Sequence, residues 1–324
     1  IAGHLGLSNF IMYYDANNVQ LSTKVDEVDT ENVAMKYEAW GWNVLTIDGH
    51  NINAIREALV AADSETERPT LIIGRTVMAK GAVAADGTSF EDKVSTHGQP
   101  LSAAGADLAA TVKNLGGNPD DPFAVFDESR EVFAERREQL REWAARQAAV
   151  EKSWRSEHKD LARKLDDYFS GKLPEIDYKT IEVKPDVATR AASAAVLGVY
   201  AEKVGNMIVS SADLSNSDKT DGFLKKTRPI VKGDFTGQFL QAGVSELTMA
   251  CVMNGMALHG GVIPACGTFF VFSDYMKPAV RLSALMRLHV IYVWSHDSFR
   301  VGEDGPTHQP VEQEMQIRLM EHLK

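Results

Sequence analysis

Cysteine is scarce in this sequence, and long apolar runs and an excess of positive charge are absent. The two cysteines among 324 residues, Cys251 and Cys266, lie in apolar, glycine-rich segments without metal-ligand spacing. We therefore expect two buried thiols in a reducing, cytoplasmic setting. No apolar run reaches the length of a membrane span. The net charge of −11 argues against general nucleic-acid binding.

The composition is that of an ordinary globular protein, with 44% hydrophobic and 24% charged residues. The length is sufficient for two domains. Short apolar runs predict strands at 9–15, 42–48, 70–77, 206–213 and 289–295, and amphipathic stretches separate them. This alternation predicts α/β architecture with parallel sheets.

The middle of the chain differs from both ends. Residues 122–170 are dense in Glu, Arg, Lys and Ala at helical spacing, which predicts long, solvated helices. A stretch at 170–185 holds two prolines and no helical period, so we interpret it as a linker. The predicted domains are 1–169 and 186–324. The chain starts without Met and ends within a helical pattern, and we expect an internal piece of a longer protein.

The loop "SHDSFRVGEDGPTHQP" (295–310) follows the last predicted strand and is rich in ionisable groups. It carries His296, Asp297, Glu303, Asp304 and His308, and its glycines permit a tight fold. Ligands of open α/β sheets bind beyond the carboxyl ends of strands. The pattern favours a functional loop over a merely solvated one.

Other strand ends are open to two interpretations. In "YYDANNVQL", Asn17 suits either a turn or a hard cation. In "SADLSNSDKTDGF", Asp213 and Ser217 suit either a helix cap or an anion or sugar site. The lone His97 in "STHGQPL" is of a kind that is usually exposed.

Two helical patterns add further candidates. Glu246 starts an otherwise apolar helical segment (243–261), where it either caps the helix or serves as a buried functional carboxylate. An aromatic series at i, i+3 and i+6 would share one side of a helix, and by itself it predicts plain core. Its members are Phe269, Phe272 and Tyr275.

Taken in order, these segments resemble transketolase, a thiamine-diphosphate enzyme of sugar-phosphate metabolism. The matching segments are "YDANNV", "STHGQPL", "VATR", "SADLSNS", "VSE", "GTFFVFSDYMKPAVRLSAL" and "HDSFRVGEDGPTHQP", and they extend over essentially the whole chain. The resemblance implies two thiamine-diphosphate-binding-type domains with parallel sheets flanked by helices. The first, truncated, would be the diphosphate-binding domain, and the second the pyrimidine-binding domain.

The resemblance also implies how the cofactor is held. Asn17 through its side chain and Val19 through its carbonyl would ligate Mg²⁺ or Ca²⁺. His97 would lie near the diphosphate and the substrate, and Glu246 would hydrogen-bond the aminopyrimidine. The aromatic series would pack around that ring, which replaces its interpretation as core. The family's Gly-Asp-Gly metal motif is absent, so the chain alone is expected to be inactive.

Substrate contacts are implied as well. Sugar phosphate and hydroxyls would be held by Arg190, Asp213, Ser217, His296, Asp304 and His308. The catalytic groups would be Glu246, His296, His308 and His97. The implied reaction moves a two-carbon ketol unit from a ketose phosphate to an aldose phosphate in the pentose phosphate pathway. The implied assembly is a cytoplasmic homodimer with the site between subunits, where Glu246 comes from one chain and Asn17 and His97 from the other.

Three alternatives stay open. A deoxyxylulose phosphate synthase or a 2-oxoacid dehydrogenase component shares the cofactor, but the first histidine of the 295–310 loop favours transketolase. A non-catalytic homologue is the third. Ser245, Leu247 and Arg300 depart from residues common in the family, where an Arg, a His and a small residue are usual.

Overall fold

The computed structural model describes the backbone of residues 1–324 and every side chain except those of residues 299 and 300. The chain divides into two compact units, Ile1–Ala148 and Ala149–Lys324. The division lies inside one long helix, α6 (Asp127–Glu157), none of whose residues is buried. The predicted boundary at 170–185 stays a prediction, and that stretch holds one 3₁₀ turn at Tyr178–Thr180.

The first unit is built on a three-stranded parallel sheet in the order β1-β3-β2. Its strands are β1 (Ile11–Ala16), β2 (Asn43–Asp48) and β3 (Thr70–Arg75). Its helices are α1 (Ala2–Leu5), α2 (Val33–Ala39), α3 (Ile52–Ser64), α4 (Leu101–Ala104), α5 (Leu108–Asn114) and the first part of α6. The central strand β3 is buried because it has a neighbour on each side, and Ile72 packs against Ala58 and Ala62 of α3.

The second unit holds a four-stranded parallel sheet in the order β5-β4-β6-β7. Its strands are β4 (Met207–Ser211), β5 (Phe239–Gln241), β6 (Ile263–Phe269) and β7 (Ile291–Ser295). Its helices are α7 (Lys159–Phe169), α8 (Thr189–Lys203), α9 (Ser215–Asp218), α10 (Asp221–Leu224), α11 (Glu246–His259), α12 (Ser273–Leu285) and α13 (Gln313–Arg318). Val209, Phe223, Phe239 and Ala265 form the centre of its core.

The α/β prediction and the five predicted strands are confirmed, each strand to within about two residues at its ends. Sequence periodicity did not find β5 or β6. The placement of the aromatic series on one helix is wrong, because Phe269 ends strand β6, Phe272 lies in a 3₁₀ turn and Tyr275 lies in α12. A strand that runs directly into a helix can mimic helical spacing across the junction.

Two predictions of burial need correction. Cys266 is buried, but Cys251 is exposed, because it lies on the face of α11 that points away from β6 and α12. Helix α11 is likewise buried on one face only, with Leu247 and Leu258 exposed on the other. No helix among the described residues is both long and apolar enough to cross a bilayer.

Candidate functional site

The candidate residues of the second unit gather at one edge of its sheet. Because all four strands are parallel, the loops after them lie at the same edge. Strand β4 leads to Asp213 and Ser217, β5 to Glu246, β6 to the aromatic series, and β7 to His296, Asp304 and His308. Arg190 lies in the first turn of α8. The topology thus explains why residues far apart in sequence form one site.

Arg190 and His296 form the polar centre of this site. The Arg190 Nη1 lies 2.6 Å from His296 Nε2 and 3.2 Å from the Ser217 carbonyl oxygen. A guanidinium only donates, so Nε2 must accept and the ring proton belongs on Nδ1. His296 Nδ1 lies 2.9 Å from Ser295 Oγ, which can accept that proton. The geometry therefore fixes His296 as one neutral tautomer.

The same geometry lowers the pKa of His296. Burial is the largest cause, and the positive charge of Arg190 is the next. The carboxylates of Asp304 and Asp218 act in the opposite direction, and His308 lowers the pKa slightly further. A neutral imidazole at pH 7 can accept a proton from a bound ligand.

A row of rings lies beside this pair. His296 stacks on Phe269 with 3.6 Å between ring centroids, Phe269 stacks on Phe272 at 5.7 Å, and Phe272 meets Tyr275 at 5.9 Å. The His308 ring contacts Phe272 edge-on at 5.3 Å. Phe269 is buried, whereas 64% of Tyr275 is exposed. The row thus passes from the interior to the surface and offers an apolar wall to a flat ligand.

A cleft of about 610 Å³ lies beside the Arg190–His296 pair, and Arg190, His296 and Asp304 line it. The cleft therefore brings together a cation (Arg190), a neutral base (His296) and an anion (Asp304). Asp213 is exposed, with a φ of 63°, and within the described residues it meets none of the other candidates. A left-handed conformation in a non-glycine residue is strained and is often found at functional sites.

Glu246 begins α11 and is only 7% exposed. Within the described part of the chain, no hydrogen bond or ion pair reaches its carboxylate. Neither carboxylate oxygen is among the fully buried unpartnered atoms of the described residues, so the group keeps access to solvent and its lone pairs are available to a ligand or a neighbouring chain. Beside it, Ser245 Oγ donates to the Ala242 carbonyl at 2.9 Å and Leu247 is exposed. The third departure, Arg300, lies outside the described side chains.

The first unit places its candidates in two neighbouring loops. The Asn17 Oδ1 accepts the Val19 N–H at 3.0 Å, and Asn18 between them has a φ of 59°. The side-chain oxygen of Asn17 thus supports its own turn, and its second lone pair is left for a cation. Among the described residues, no group of three or more His, Cys, Asp or Glu side chains is placed to hold a metal ion, so the predicted metal site rests on neutral oxygens here.

His97 ends a 3₁₀ turn (Val94–Thr96) and is partly buried, not exposed as expected for a lone loop histidine. Its Nδ1 is buried, and among the described residues it has no hydrogen-bond partner. The Lys24–Asp92 ion pair at 2.6 Å joins its loop to the Asn17 loop. An orphaned ring nitrogen beside the predicted cation ligands fits a polar ligand bound at this place.

Sequence reasoning missed two polar groups at the strand ends. His50, after β2, accepts the Val77 N–H on Nε2 at 2.8 Å and so joins the loops after β2 and β3. Asp218, at the end of α9, is completely buried beneath the cleft. His50 lies just after a predicted strand, and Asp218 lies in the segment that follows another, so position beyond a strand end is the signal that points to them.

The comparison with protein families accounts for both units. Residues 1–174 match the model "Transketolase, thiamine diphosphate binding domain", and residues 185–324 match "Transketolase, pyrimidine binding domain". The chain belongs to the transketolase family. The two thiamine-diphosphate-binding-type domains expected from the sequence are therefore confirmed.

Individual transketolases are similar over the whole chain. Identity is 39% to the transketolase of Geobacillus stearothermophilus and 38% to that of Bacillus subtilis strain 168, with 100% of this chain and 48% of each relative covered. The structure of the Leishmania mexicana transketolase matches with a TM-score of 0.90 at 31% identity, covering 99% of this chain and 47% of the other. The chain thus spans about half the length of the relatives that it matches.

A further structure bears on ligands. The Pichia stipitis transketolase in complex with sedoheptulose 7-phosphate matches with a TM-score of 0.89 at 32% identity, covering 99% of this chain and 48% of the other. The fold and the family predicted from the sequence are both confirmed by these similarities.

Proposed function

We propose that this protein is a transketolase that transfers a two-carbon ketol unit from a ketose phosphate to an aldose phosphate. The observation that carries the proposal is the convergence of Arg190, His296 and the ring row on the strand edge that also holds the unpaired Glu246. A cationic group, a neutral base, an aromatic wall and a buried carboxylate are the parts that such a reaction requires. The pentose phosphate pathway and a cytoplasmic location belong to the same proposal.

Thiamine diphosphate would be held by residues that fit it. The row of Phe269, Phe272 and Tyr275 offers faces to a flat heterocycle, and Glu246 offers a carboxylate with no competing partner. When bound, the cofactor supplies the electron sink for breaking a carbon–carbon bond next to a carbonyl. Glu246 would accept a hydrogen bond from a ring nitrogen of the bound cofactor, and apolar surroundings would strengthen that bond.

The sugar phosphate would lie in the 610 Å³ cleft. Arg190 binds the phosphate, for which a planar guanidinium is well suited. Neutral His296 would accept or return a proton at a substrate hydroxyl, and His308 would do the same for a neighbouring hydroxyl. Asp304 and Asp213 would accept hydrogen bonds from hydroxyls, and Ser217 would add a donor. The complex of the Pichia stipitis relative with sedoheptulose 7-phosphate supports this class of substrate.

The divalent ion would bind through Asn17 Oδ1 and the Val19 carbonyl, and His97 would contact the diphosphate through its unpartnered Nδ1. Mg²⁺ and Ca²⁺ take oxygen ligands and bridge phosphates, so neutral oxygens suit them when the phosphate supplies the charge. The ion's role is to neutralise and orient the diphosphate.

A homodimer is the proposed assembly. Helices α11 and α12 expose an apolar surface that includes Leu247, Leu258, Leu282 and Leu285, each at least 44% exposed. Apolar surfaces of this kind are typical of interfaces between subunits. Such an interface next to Glu246 would place the cofactor site between the two subunits.

The test is a coupled assay with xylulose 5-phosphate as donor and ribose 5-phosphate as acceptor. Both this chain and the complete gene product are assayed, with and without thiamine diphosphate and Mg²⁺. We expect cofactor-dependent release of a triose phosphate by the complete protein and none by the chain alone. A complete, folded, cofactor-bound protein without this activity would contradict the proposal.

A further inference from the structure

Asp218 is a completely buried carboxylate for which the proposed reaction gives no role. It ends α9, and 0% of its surface is exposed. A group without accessible surface cannot touch a substrate, yet it lies against the wall of the cleft together with Arg190 and His296. Burial of a carboxylate is costly unless hydrogen bonds compensate it. Any effect on the ligand must therefore pass through its neighbours.

Three hydrogen bonds hold this carboxylate. Ser211 Oγ, at the end of β4, donates to Oδ2 at 2.7 Å, and both the backbone N–H and the hydroxyl of Thr220 donate to Oδ1 at 2.8 Å. A Cβ on Gly267 of β6 would come within 3.0 Å of Asp218 Oδ2 and 2.6 Å of Thr220 Cγ2. Glycine at that position is thus what lets the α9 turn lie directly on the sheet.

The same local pattern occurs twice more in the chain without this setting. Asp86 accepts from the N–H and hydroxyl of Thr88, and Asp234 does so from Thr236. Asp86 is exposed, and the side chain of Asp234 is 44% exposed and also pairs with Arg228. An aspartate two residues before a threonine therefore forms this turn without complete burial. Burial against the sheet and the added bond from Ser211 are peculiar to Asp218 among the three.

The turn that Asp218 anchors is joined to the Arg190–His296 pair by a hydrogen bond. The preceding residue, Ser217, gives its carbonyl to Arg190 Nη1 at 3.2 Å, and the same nitrogen meets His296 Nε2 at 2.6 Å. A shift of the α9 turn would move that carbonyl, release Arg190 and remove the donor that fixes the tautomer of His296.

We propose that Asp218 is a positioning residue for the phosphate-bearing substrate: its buried carboxylate fixes the α9 turn, and through the Ser217 carbonyl it determines where Arg190 and His296 stand in the cleft. The identity of the ligand in this inference rests on the proposed function. The placement of the Arg190–His296 pair does not, and it can be measured directly.

Two variants separate anchoring from charge. Asp218→Ala removes all three hydrogen bonds, whereas Asp218→Asn keeps the shape and the two bonds from Thr220 but removes the negative charge. The charges that face His296 are Arg190, Asp304, Asp218 and His308, and of these Asp218 and Asp304 raise its pKa. Loss of the Asp218 charge must therefore lower the pKa of His296. Asp234→Ala is the matched control, because it removes the same turn at a site that is not completely buried.

The direct experiment is a pH titration by NMR of the chain labelled with ¹⁵N-histidine, with His296 assigned through His296→Gln. Wild type and Asp234→Ala are expected to show the Nδ1–H tautomer. Asp218→Asn should keep that tautomer with a lower pKa, and Asp218→Ala should show a mixture of tautomers. A folded Asp218→Ala protein with wild-type tautomer and titration would overturn the inference. If that variant does not fold, Ser211→Ala takes its place, because it removes the hydrogen bond to Asp218 Oδ2, and wild-type tautomer and titration of His296 in folded Ser211→Ala would overturn the inference.

Kinetics of the complete protein add a second readout. Asp218→Ala should raise the KM for the phosphorylated ketose about tenfold, as expected for a misplaced charged donor, and should also lower kcat, because the tautomer of His296 is no longer fixed. Most of this increase in KM should be absent in Asp218→Asn. An unchanged KM in folded Asp218→Ala would contradict the inference. If the wild type does not turn over these sugars, the proposed function fails, and the NMR experiment still decides the role of Asp218.

Discussion

The two strand-end sites of this chain differ in how completely their own residues organise them. In the second unit, Arg190, Ser217 and His296 are joined by hydrogen bonds, and the rings beside them are stacked. In the first unit, Asn17 is bonded to its own turn, and His97 has a buried nitrogen with no partner among the described residues. The difference indicates that the second site is organised before a ligand binds, whereas the first, under the proposed function, would be completed by a cation and a phosphate.

The largest expected effect on turnover comes from Glu246. It lies in the second unit but, unlike Arg190 and His296, has no partner among the described residues. Glu246→Gln keeps the volume but removes the carboxylate that would accept the cofactor's hydrogen bond. Turnover by the complete protein should fall by about 10²–10⁴, with the thermal midpoint unchanged. Near-normal turnover at saturating cofactor would mean that the carboxylate is merely a helix cap.

Substitution of Arg190 tests the organised centre of the second unit. Arg190→Ala should raise the KM for a ketose phosphate by roughly 10–100-fold, the cost of a lost bidentate contact to phosphate. The KM for an unphosphorylated ketose should change little. Arg228→Ala is the control, since Arg228 is an exposed arginine that pairs with Asp234 at 3.5 Å. Equal increases in KM for the phosphorylated and the unphosphorylated ketose would show that Arg190 does not bind the phosphate.

Asn17→Ala tests whether the first unit is completed by the cation. Affinity for thiamine diphosphate should fall about tenfold at low Mg²⁺, the cost of one lost ligand oxygen, and high Mg²⁺ should restore part of it. The control is Asn118→Ala, because Asn118 supports an exposed turn by the same bond to the residue two positions on, at 3.1 Å. Calorimetric titration measures the affinity of both variants for thiamine diphosphate. Equal affinities of Asn17→Ala and Asn118→Ala would show that Asn17 is not a metal ligand.

The smallest effect concerns pH. The pKa of His296 is lowered by burial and by Arg190, so the unfolded chain binds this proton at a higher pH than the folded chain. The free energy of unfolding should therefore decrease as the pH falls from about 6.5, the ordinary histidine value, toward the folded-state pKa. His296→Gln should reduce that decrease in urea titrations at pH 7.5 and 5.5. An identical pH dependence in the variant would show that His296 is not held neutral.

Much of the fold could be predicted because parallel strands buried on both faces are short apolar runs, as at 70–77. β6 was missed because its last residue, Phe269, begins an aromatic series that continues into α12 at helical spacing. β5 was missed because three residues carry no detectable period. Local periodicity thus fails where elements join without a turn.

The sequence pointed to candidate site residues but not to the contacts between them. The residues of the 295–310 loop stood out by composition, and the family resemblance supplied roles for Arg190 and Glu246. No sequence pattern could show that Arg190 donates to His296, since 106 positions separate them. Burial of Asp218 was equally hidden, because the same turn occurs without complete burial at Asp86 and Asp234. These contacts depend on which strands become neighbours.

The most direct measurement of the central claim follows the two transferred carbons. The complete protein, with thiamine diphosphate and Mg²⁺, is given xylulose 5-phosphate labelled with ¹³C at C1 and C2, together with ribose 5-phosphate. Carbon NMR should show the coupled ¹³C pair at C1 and C2 of a seven-carbon ketose phosphate, only when the cofactor is present. A labelled pair that stays in the pentulose, or a protein that forms a deoxypentulose phosphate from pyruvate and a triose phosphate instead, would contradict the account.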